Sequence, residues 1–246
     1  MGRLVILSGP SCVGKGPLYA ALKRLYPRTA GRLDKFVLYD SRAPRPGEVD
    51  GIDFHFRRRD EIEAFRDRPD FRVFEVRNDL QAMDTRELER MLAESVVFFE
   101  GNPFIGSRLL DLAQAQGVAS LSIFLSPLSR EEIVELNGRV PSVSVPEFVT
   151  DVMRRKLLRR TTRQKGILSQ ADLENIEVRA QSAYGEMQQA WRYDHVICCH
   201  DGEDSEHWDA FYYPIGDARK AVQAFAALLE GDAPDGVEKW EHDLIA

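Results

Sequence analysis

The segment that most constrains the fold is a short apolar run that leads through a glycine-rich turn into a helical pattern. The run starts at Val5, the turn reads Gly-x-x-x-x-Gly-Lys, and apolar residues then recur at helical spacing from Leu18. Glycines let successive backbone N–H groups point into one concavity, and the following helix adds the positive end of its dipole. This arrangement is typical of a phosphate-binding loop. The residues expected to hold a nucleotide are Gly9, Pro10, Ser11, Cys12, Val13, Gly14, Lys15, Gly16 and Pro17.

The metal side of this loop departs from the full pattern. Lys15 is placed to reach the outer phosphates of a nucleoside triphosphate. In the full pattern the next position carries a Ser or Thr hydroxyl that helps to hold Mg²⁺, but here it is Gly16, followed by Pro17. We therefore expect Mg²⁺ to arrive with ATP and to keep waters in place of that hydroxyl, and no residue is predicted as a metal ligand.

Composition excludes several classes of protein. The 246 residues are enough for one domain with an appended subdomain, and 43% of them are hydrophobic, as is usual for a globular protein. A net charge of −7 argues against a surface that binds nucleic acid over most of its area. The three cysteines do not make a disulfide framework, and no second Cys/His pair stands at zinc-ligand spacing. With neither a signal peptide nor a transmembrane span expected, we predict a cytoplasmic protein.

Strand and helix patterns alternate along the chain. Strands are predicted at residues 3–8, 35–39, 52–56, 71–77, 95–100, 119–125 and 193–199. Helices are predicted at residues 15–26, 60–67, 84–93, 105–116, 129–137, 147–165, 171–192 and 216–230, with a linker at 140–146. Such alternation predicts an α/β fold, with a mainly parallel sheet, helices on both faces, and ligands beyond the carboxyl ends of the strands.

A second basic element follows the loop. Arg42 and Arg45 stand three residues apart in a segment that Pro44 and Pro46 stiffen. Two forked cations held in this way suit a phosphate monoester, although a solvated basic turn would show the same residues.

With both elements in view, the chain resembles the guanylate kinase family. The resemblance spans roughly residues 3–200 and rests on blocks in the family's order at 8–16, 42–56, 122–129, 179–186 and 193–197. The block Arg-x-Pro-Arg-x-Gly-Glu-x-x-Gly, which starts at Arg42, is specific, whereas the loop alone is shared by many unrelated nucleotide enzymes.

The resemblance implies a nucleoside monophosphate kinase that moves the γ-phosphoryl group of ATP to GMP or a related monophosphate, with Mg²⁺ bound to ATP. As catalytic residues, Lys15 would hold ATP and Arg42 would grip the phosphate of the acceptor together with Arg45. Arg179 matches the family arginine that reaches the transferring phosphoryl group. Phe54 stands where the family has a tyrosine that also touches the acceptor phosphate.

The residues that would read the acceptor base match the family less well. Glu100 falls near the carboxylate that reads the edge of guanine. A family serine is Leu38 here, and Ala82 lies in a stretch where the family has tyrosines. The guanine-reading glutamate is Val73, although Glu75 follows on the same face of the strand and is the expected substitute. A site with fewer polar contacts discriminates less, so an acceptor other than GMP stays open.

Residues 151–165 are the most basic part of the chain and contain no acidic residue after Asp151. Arg155, Arg159 and Arg163 recur at one-turn spacing, so one face of the predicted helix carries guanidinium groups. Because the family places lid arginines over the phosphates, we expect Arg155 and Arg159 to act in catalysis. A contact with nucleic acid or an acidic partner, or a plain solvated helix, are the alternative interpretations.

The predicted organisation is a guanylate-kinase-like domain at residues 1–230 and an acidic tail at 231–246. Its parts are a core at about 1–34, 84–137 and 171–230, a small acceptor-binding subdomain at about 35–83, and a basic helical lid at about 138–170. The expected partners are ATP and a nucleoside monophosphate, with GMP foremost. A binding module of the same fold without turnover is the remaining alternative, on the grounds of Gly16, Pro17 and Phe54.

Overall fold

The computed structural model describes residues 2–139 and 144–245, and within them the strands form two sheets. The strands are β1 (Arg3–Ser8), β2 (Leu33–Lys35), β3 (Tyr39–Asp40), β4 (His55–Phe56), β5 (Phe71–Val76), β6 (Asp79–Asp84), β7 (Val96–Gly101), β8 (Ala119–Ser126), β9 (His195–Cys198) and β10 (Val237–Glu238). The larger sheet has the order β10-β9-β8-β1-β7-β2, and the smaller one the order β4-β3-β6-β5. In the larger sheet the described pairings are parallel apart from that of β9 with β10, which confirms the predicted mainly parallel sheet.

Helices connect most of these strands. They are α1 (Lys15–Leu25), α2 (Pro27–Ala30), α3 (Arg59–Glu63), α4 (Thr85–Glu94), α5 (Pro103–Gln116), α6 (Arg130–Arg139), α7 (Val145–Lys165), α8 (Gln170–Met187) and α9 (Gly216–Glu230). Short 3₁₀ turns lie at Ala64–Asp67, Ala190–Arg192 and Glu206–Trp208. Among the helices of the described ranges, none has both the length and the apolar character needed to cross a membrane.

Strand β1 lies at the centre of the core. Leu4, Val5, Ile6 and Leu7 are each at most 1% exposed. Successive side chains of a strand point to opposite faces, so burial of all four shows that both faces of the sheet are covered. Leu7 is paired with Glu100 of β7, which brings the end of that strand beside the start of the glycine-rich loop.

The smaller sheet has a core of its own, formed by Ile62, Phe71, Leu80 and Ala82. Strand β6 was not among the predicted strands. It forms a hairpin with β5 through a turn in which Arg77 has a φ of +61°. Leu80 and Ala82 alternate into the small core, which is the pattern of a half-buried strand.

Two predicted strands take a different form. The segment 35–39 is divided between the sheets, because the chain leaves the larger sheet with β2 and enters the smaller one with β3. Of the predicted strand 52–56, only β4 is formed. The residues before it make a turn in which Gly51 has a φ of +79° and the carboxylate of Asp53 accepts a backbone N–H. Local hydrogen bonding of this kind competes with strand pairing.

The ends of three predicted segments also differ. Of the linker predicted at 140–146, residues 140–143 lie outside the described residues, and α7 has already begun at Val145. The helix predicted at 171–192 ends at Met187, before a separate 3₁₀ turn. The segment predicted as an acidic tail contains β10, which pairs with β9, and the buried side chains of Trp240 and Ile245, so this segment packs against the rest of the domain.

Candidate active site

A cavity of about 750 Å³ lies at the carboxyl ends of β1 and β7, between the two sheets and helices α7 and α8. This is where an α/β sheet is expected to bind its ligands. The predicted site residues that line it are Gly9, Ser11, Cys12, Lys15, Gly16, Pro17, Arg42, Arg45, Phe54, Glu100 and Arg179. The other members of the predicted nucleotide-binding loop belong to the same turn but are not among the described residues that line the cavity: Pro10, Val13 and Gly14.

Two glycines shape the loop. Gly9 and Gly14 have φ values of +155° and +114°, a region that other residues rarely adopt. A Cβ on Gly9 would lie 2.3 Å from the carbonyl oxygen of Leu125, and one on Gly14 would lie 2.8 Å from that of Asp201. The loop is therefore held between the end of β8 and the segment after β9.

Lys15 is the first residue of α1 and is buried. Its Nζ donates hydrogen bonds to the carbonyl oxygens of Gly9 (2.7 Å) and Pro10 (2.8 Å). Burial lowers the pKa of Lys15, and the carboxylates of Glu203 and Glu100 oppose that shift. Because both hydrogen-bond partners are neutral carbonyls, the positive charge of Lys15 is left to act on an anion in the cavity.

Glu48 organises the two arginines of the proline-stiffened segment. The guanidinium group of Arg42 donates two hydrogen bonds to its carboxylate, at 2.6 and 2.8 Å, and the backbone N–H of Arg45 donates a third at 2.7 Å. The guanidinium group of Arg42 also lies 5.0 Å from the ring centre of Phe54, a cation–π contact. Burial and the positive charges of Arg42 and Arg160 lower the pKa of Arg45 to about 10. The motif thus holds two guanidinium groups close together despite their repulsion.

Arg179 joins α8 to the loop. It is 5% exposed, and it donates hydrogen bonds to Asn175 (2.6 Å) and to the hydroxyl of Ser11 (3.1 Å). Burial lowers the pKa of Arg179 well below its ordinary value, and the charges of neighbouring arginines lower it further. A buried cation surrounded by other cations is the setting in which an anionic ligand would be most strongly stabilised.

Arg160 of α7 also reaches the cavity. It donates a hydrogen bond to Glu203 (2.7 Å), while its buried Nε has no hydrogen-bond partner among the described residues. The backbone N–H of Glu203 donates to the carbonyl of Cys12 (3.1 Å), so the segment 201–208 rests on the loop. Burial opposes the charge of Glu203, but Arg160 and Lys15 outweigh it and lower its pKa. A carboxylate therefore lies among the cations of the cavity.

The structure places the two predicted lid arginines outside the cavity. Arg155 is paired with Asp151 and Arg159 with Asp204, and their side chains are 69% and 63% exposed. Among the described residues, the lining of the cavity includes neither Arg155 nor Arg159, but it includes Arg160. One residue turns a helix by about 100°, so the buried face of α7 is a different one from the face predicted.

The basic face of α7 is largely neutralised by the segment after β9. The ion pairs are Arg159–Asp204, Arg160–Glu203 and Arg163–Glu206. The helix has no acidic residue after Asp151, and another part of the chain supplies the partners of these later arginines. This pairing weakens the electrostatic case for nucleic-acid binding, which rested on the absence of acids within the helix.

Sequence reasoning missed Arg77, Arg160 and Glu203, all of which line the cavity. Arg77 stands in the hairpin turn and donates hydrogen bonds to Glu186 (2.6 Å) and to the hydroxyl of Ser182 (3.1 Å). No motif in the sequence singles these residues out. The available signal was the buried-face periodicity of α7, which would have selected Arg160 in place of its neighbour.

Comparison with known proteins agrees with this architecture. A sequence profile of the guanylate kinase family matches residues 1–78. A guanylate kinase of Mycobacterium sp. (strain MCS) is 34% identical over 191 residues, which cover 74% of this chain and 85% of that protein. This chain belongs to the guanylate kinase family. The guanylate kinase of Mycobacterium tuberculosis (strain CDC 1551 / Oshkosh) is 29% identical over 76% of the chain and 85% of its own length.

A solved guanylate kinase supports the fold alone. The crystal structure of guanylate kinase from Anaplasma phagocytophilum matches 94% of this chain and 85% of its own, with a TM-score of 0.53 and 18% identity. The resemblance and the α/β fold expected from the sequence are thus confirmed.

At the base end of the cavity, the structure places Glu75, the predicted substitute for the guanine-reading glutamate, away from the cavity. The side chain of Glu75 is 72% exposed and lies 3.5 Å from Arg66. Successive side chains of β5 point to opposite faces of the sheet. Because Val76 lines the cavity, the side chain of the preceding residue, Glu75, points away from it. Val73 is paired with Ala82 across the hairpin.

Polar groups at this end come instead from β3 and β6. Asp40 is fully buried and accepts hydrogen bonds from the backbone N–H of Arg42 (3.0 Å) and from Nε2 of Gln81 (2.7 Å). Burial raises the pKa of Asp40, although these hydrogen bonds oppose it. Gln81 uses its amide N–H₂ on Asp40, so its carbonyl oxygen is the group left for a ligand.

Glu100, which was expected to read the acceptor base, lies close to the glycine-rich loop. A Cβ on Gly16 would lie 3.8 Å from Oε1 of Glu100, so this carboxylate faces the first turn of α1. Burial raises the pKa of Glu100, and Lys35 and Lys15 oppose the shift. An oxygen ligand at this place suits Mg²⁺, and it lies where the loop lacks the usual hydroxyl.

Proposed function

We propose that this chain is a nucleoside monophosphate kinase that transfers the γ-phosphoryl group of ATP to GMP. The observation that carries the proposal is the convergence of cations from separate segments on one cavity: Lys15, Arg42, Arg45, Arg160 and Arg179. Phosphoryl transfer needs little covalent chemistry from the protein and depends on position and on neutralised charge. The relatives that are named guanylate kinases support GMP as the acceptor.

The donor phosphates would lie in the glycine-rich loop. Its N–H groups and Lys15 would hold them, and Arg179 would act at the transferring group, because its hydrogen bond to Ser11 sets its guanidinium beside the loop. The acceptor phosphate would lie against Arg42 and Arg45, which Glu48 keeps in position before any substrate binds.

Mg²⁺ is the proposed companion of ATP. Glu100, which faces Gly16, is the described carboxylate best placed to hold it, either directly or through water. When bound, the ion would neutralise charge on the donor phosphates. The residues of the protein would then align the acceptor oxygen and keep water from competing with it.

Glu203 fits this proposal as an anion that the substrate replaces. It forms an ion pair with Arg160, and a phosphate group would compete with it for the same guanidinium group and for Lys15. The Nε of Arg160, which has no hydrogen-bond partner in the part of the chain that the structure describes, would offer such a phosphate a further donor.

The test is a coupled assay of the purified full chain with ATP, Mg²⁺ and a panel of monophosphates: GMP, dGMP, IMP, AMP, CMP and UMP. The diphosphate products are identified by chromatography, and Lys15→Ala serves as the control for contaminating kinases. We expect GDP to form fastest, with little turnover by the control.

Other outcomes separate the alternatives. Faster transfer to another monophosphate would keep the kinase and change its acceptor. ATP binding without transfer to any member of the panel would identify a binding module and contradict the proposal.

A further inference from the structure

A cluster of metal-binding side chains lies outside the cavity, at the carboxyl end of β9. Cys198 ends that strand, His200 follows two residues later, and Glu132 projects from α6. One ligand atom of each, the Sγ, a ring nitrogen and a carboxylate oxygen, lie within 4.8 Å of one another. All three residues are at least partly exposed, so an ion could reach them from solvent.

Asp217 at the start of α9 orients the histidine. Its carboxylate lies 2.6 Å from Nδ1 of His200, so it accepts the Nδ1–H hydrogen bond and leaves Nε2 turned toward the other two ligands. A carboxylate that holds the far nitrogen of a histidine in this way is the usual support of a metal-ligating imidazole. The backbone carbonyl of His200 is also fixed, because it accepts a hydrogen bond from Lys156.

The spacing of the ligand atoms agrees with a tetrahedral ion. Nε2 of His200 lies 3.8 Å from Sγ of Cys198 and 2.9 Å from Oε1 of Glu132. A tetrahedral Zn²⁺ with ordinary bond lengths separates a sulfur and a nitrogen ligand by about 3.6 Å, and a nitrogen and an oxygen ligand by about 3.4 Å. The third separation, between Sγ of Cys198 and the carboxylate oxygen, is at most 4.8 Å. Movements of about an ångström or less in these partly exposed side chains would therefore complete the site.

We propose that Cys198, His200 and Glu132 bind a Zn²⁺ ion, with Asp217 as the positioning residue and a water molecule as the fourth ligand. The mixed thiolate, imidazole and carboxylate set favours Zn²⁺ over Mg²⁺ or Ca²⁺, which prefer oxygen ligands. On binding, the proton of the thiol and the proton shared by His200 and Glu132 leave to solvent, and the three freed lone pairs bind the ion.

The same residues also have a metal-free explanation, which the test must exclude. Burial acts to lower the pKa of His200, but its hydrogen bonds with Asp217 and Glu132 outweigh that effect and raise it. A charged imidazolium between two carboxylates would be stable without an ion. That explanation needs no thiolate at Cys198, since a neutral thiol 3.8 Å from Nε2 of His200 would satisfy it, and this is the difference the experiment uses.

The ion would join three elements beside the active site. It would connect the end of β9, helix α6 and, through Asp217, the start of α9. The segment 201–208, which rests on the nucleotide loop, begins directly after His200. Sequence spacing could not indicate the site, because Glu132 lies on a helix far from the other ligands in the chain.

The experiment titrates the metal-free full chain with Co²⁺, whose absorption reports the ligand set, and then with Zn²⁺ in a competition assay. The variants are Cys198→Ser, Glu132→Gln and Asp217→Asn. The matched controls are Cys199→Ser, the neighbouring thiol outside the cluster, and His207→Asn, a histidine of similar exposure that pairs with Asp201. Circular dichroism of each variant checks that it is folded.

We expect one equivalent of Co²⁺ to give a thiolate-to-cobalt charge-transfer band that Zn²⁺ abolishes. Cys198→Ser should remove the band, Glu132→Gln should weaken Zn²⁺ binding, and Asp217→Asn should weaken it by about 10- to 100-fold with the band retained. Both controls should bind as the unchanged chain does. Absence of the band, or a band that survives in Cys198→Ser, would overturn the proposal and leave the imidazolium explanation.

Discussion

The phosphate end and the base end of the cavity are built in different ways. Cations reach the phosphate end from the loop, from the segment after β3 and from helices α7 and α8, and several are held by hydrogen bonds before any substrate binds. The base end is formed mainly by the small sheet, where Leu38 is apolar and Asp40 is already bonded to Gln81. Phosphate binding is therefore preorganised, whereas base recognition depends on few free polar groups.

The largest effect should come from Lys15→Ala at the phosphate end. Loss of the cation that the loop presents should lower kcat by about 10²- to 10³-fold or more, because a preorganised donor acts on charge that develops in the transition state. The control is Lys23→Ala, which lines the same cavity but lies 4.7 Å over the ring of Tyr19. Steady-state kinetics of both variants give the comparison, and equal losses would contradict the role of the loop.

Arg45→Ala should come next and should act on the acceptor alone. A charge-assisted hydrogen bond is worth about 1.5–3 kcal/mol, or roughly a 10- to 150-fold change in kcat/KM for the monophosphate. ATP affinity, measured by titration calorimetry, should stay within about twofold. Arg57→Ala, at a partly exposed arginine of the same subdomain that is paired with Asp50, is the control. A loss of ATP affinity would place Arg45 at the donor phosphates.

Arg160 and Arg159 form a matched pair of neighbours on α7. Arg160→Ala should lower kcat by about tenfold or more, whereas Arg159→Ala, which breaks a partly exposed ion pair with Asp204, should change it little. Single-turnover kinetics at saturating substrates separates the two. A larger loss of kcat in Arg159→Ala would mean that the face of α7 predicted from the sequence, and not the buried face, acts in catalysis.

The Mg²⁺ requirement tests the metal side of the loop. Glu100→Gln should raise the Mg²⁺ concentration needed for half-maximal rate, since it removes a charged oxygen ligand beside Gly16. Gly16→Ser should lower that concentration slightly, because it restores a hydroxyl on the metal side of the loop, and Gly16→Ser combined with Pro17→Thr should lower it more. Titrations of Mg²⁺ at fixed ATP give these values. Identical curves for all four proteins would show that neither group takes part.

The smallest effect should come from Glu75→Gln at the base end. Its side chain is exposed and turned away from the cavity, so the preference for GMP over AMP should not change. The ratio of kcat/KM for the two acceptors measures this. A change of more than about tenfold, or 1.4 kcal/mol, would mean that the small sheet adopts another arrangement when substrate binds.

The contrast between the two ends also explains what could be predicted from the sequence. The loop and the segment from Arg42 to Glu48 are contiguous motifs, so their roles follow from local geometry. Arg160 and Glu203 become partners only when the segment after β9 folds onto α7. Glu75 and Val76 are adjacent, so an uncertain register in β5 was enough to select the wrong face. The fold could be predicted from the alternation of strands and helices. The division of residues 35–39 between two sheets could not be predicted in this way.

The most direct test of the central claim is the binding of a bisubstrate compound in which adenosine and guanosine are joined by a pentaphosphate. If donor and acceptor phosphates meet in one cavity, calorimetry should show one site per chain that both Lys15→Ala and Arg45→Ala weaken at least about tenfold, while Arg159→Ala does not. Binding that only one of the first two variants weakens, or that neither does, would contradict a shared phosphoryl-transfer site.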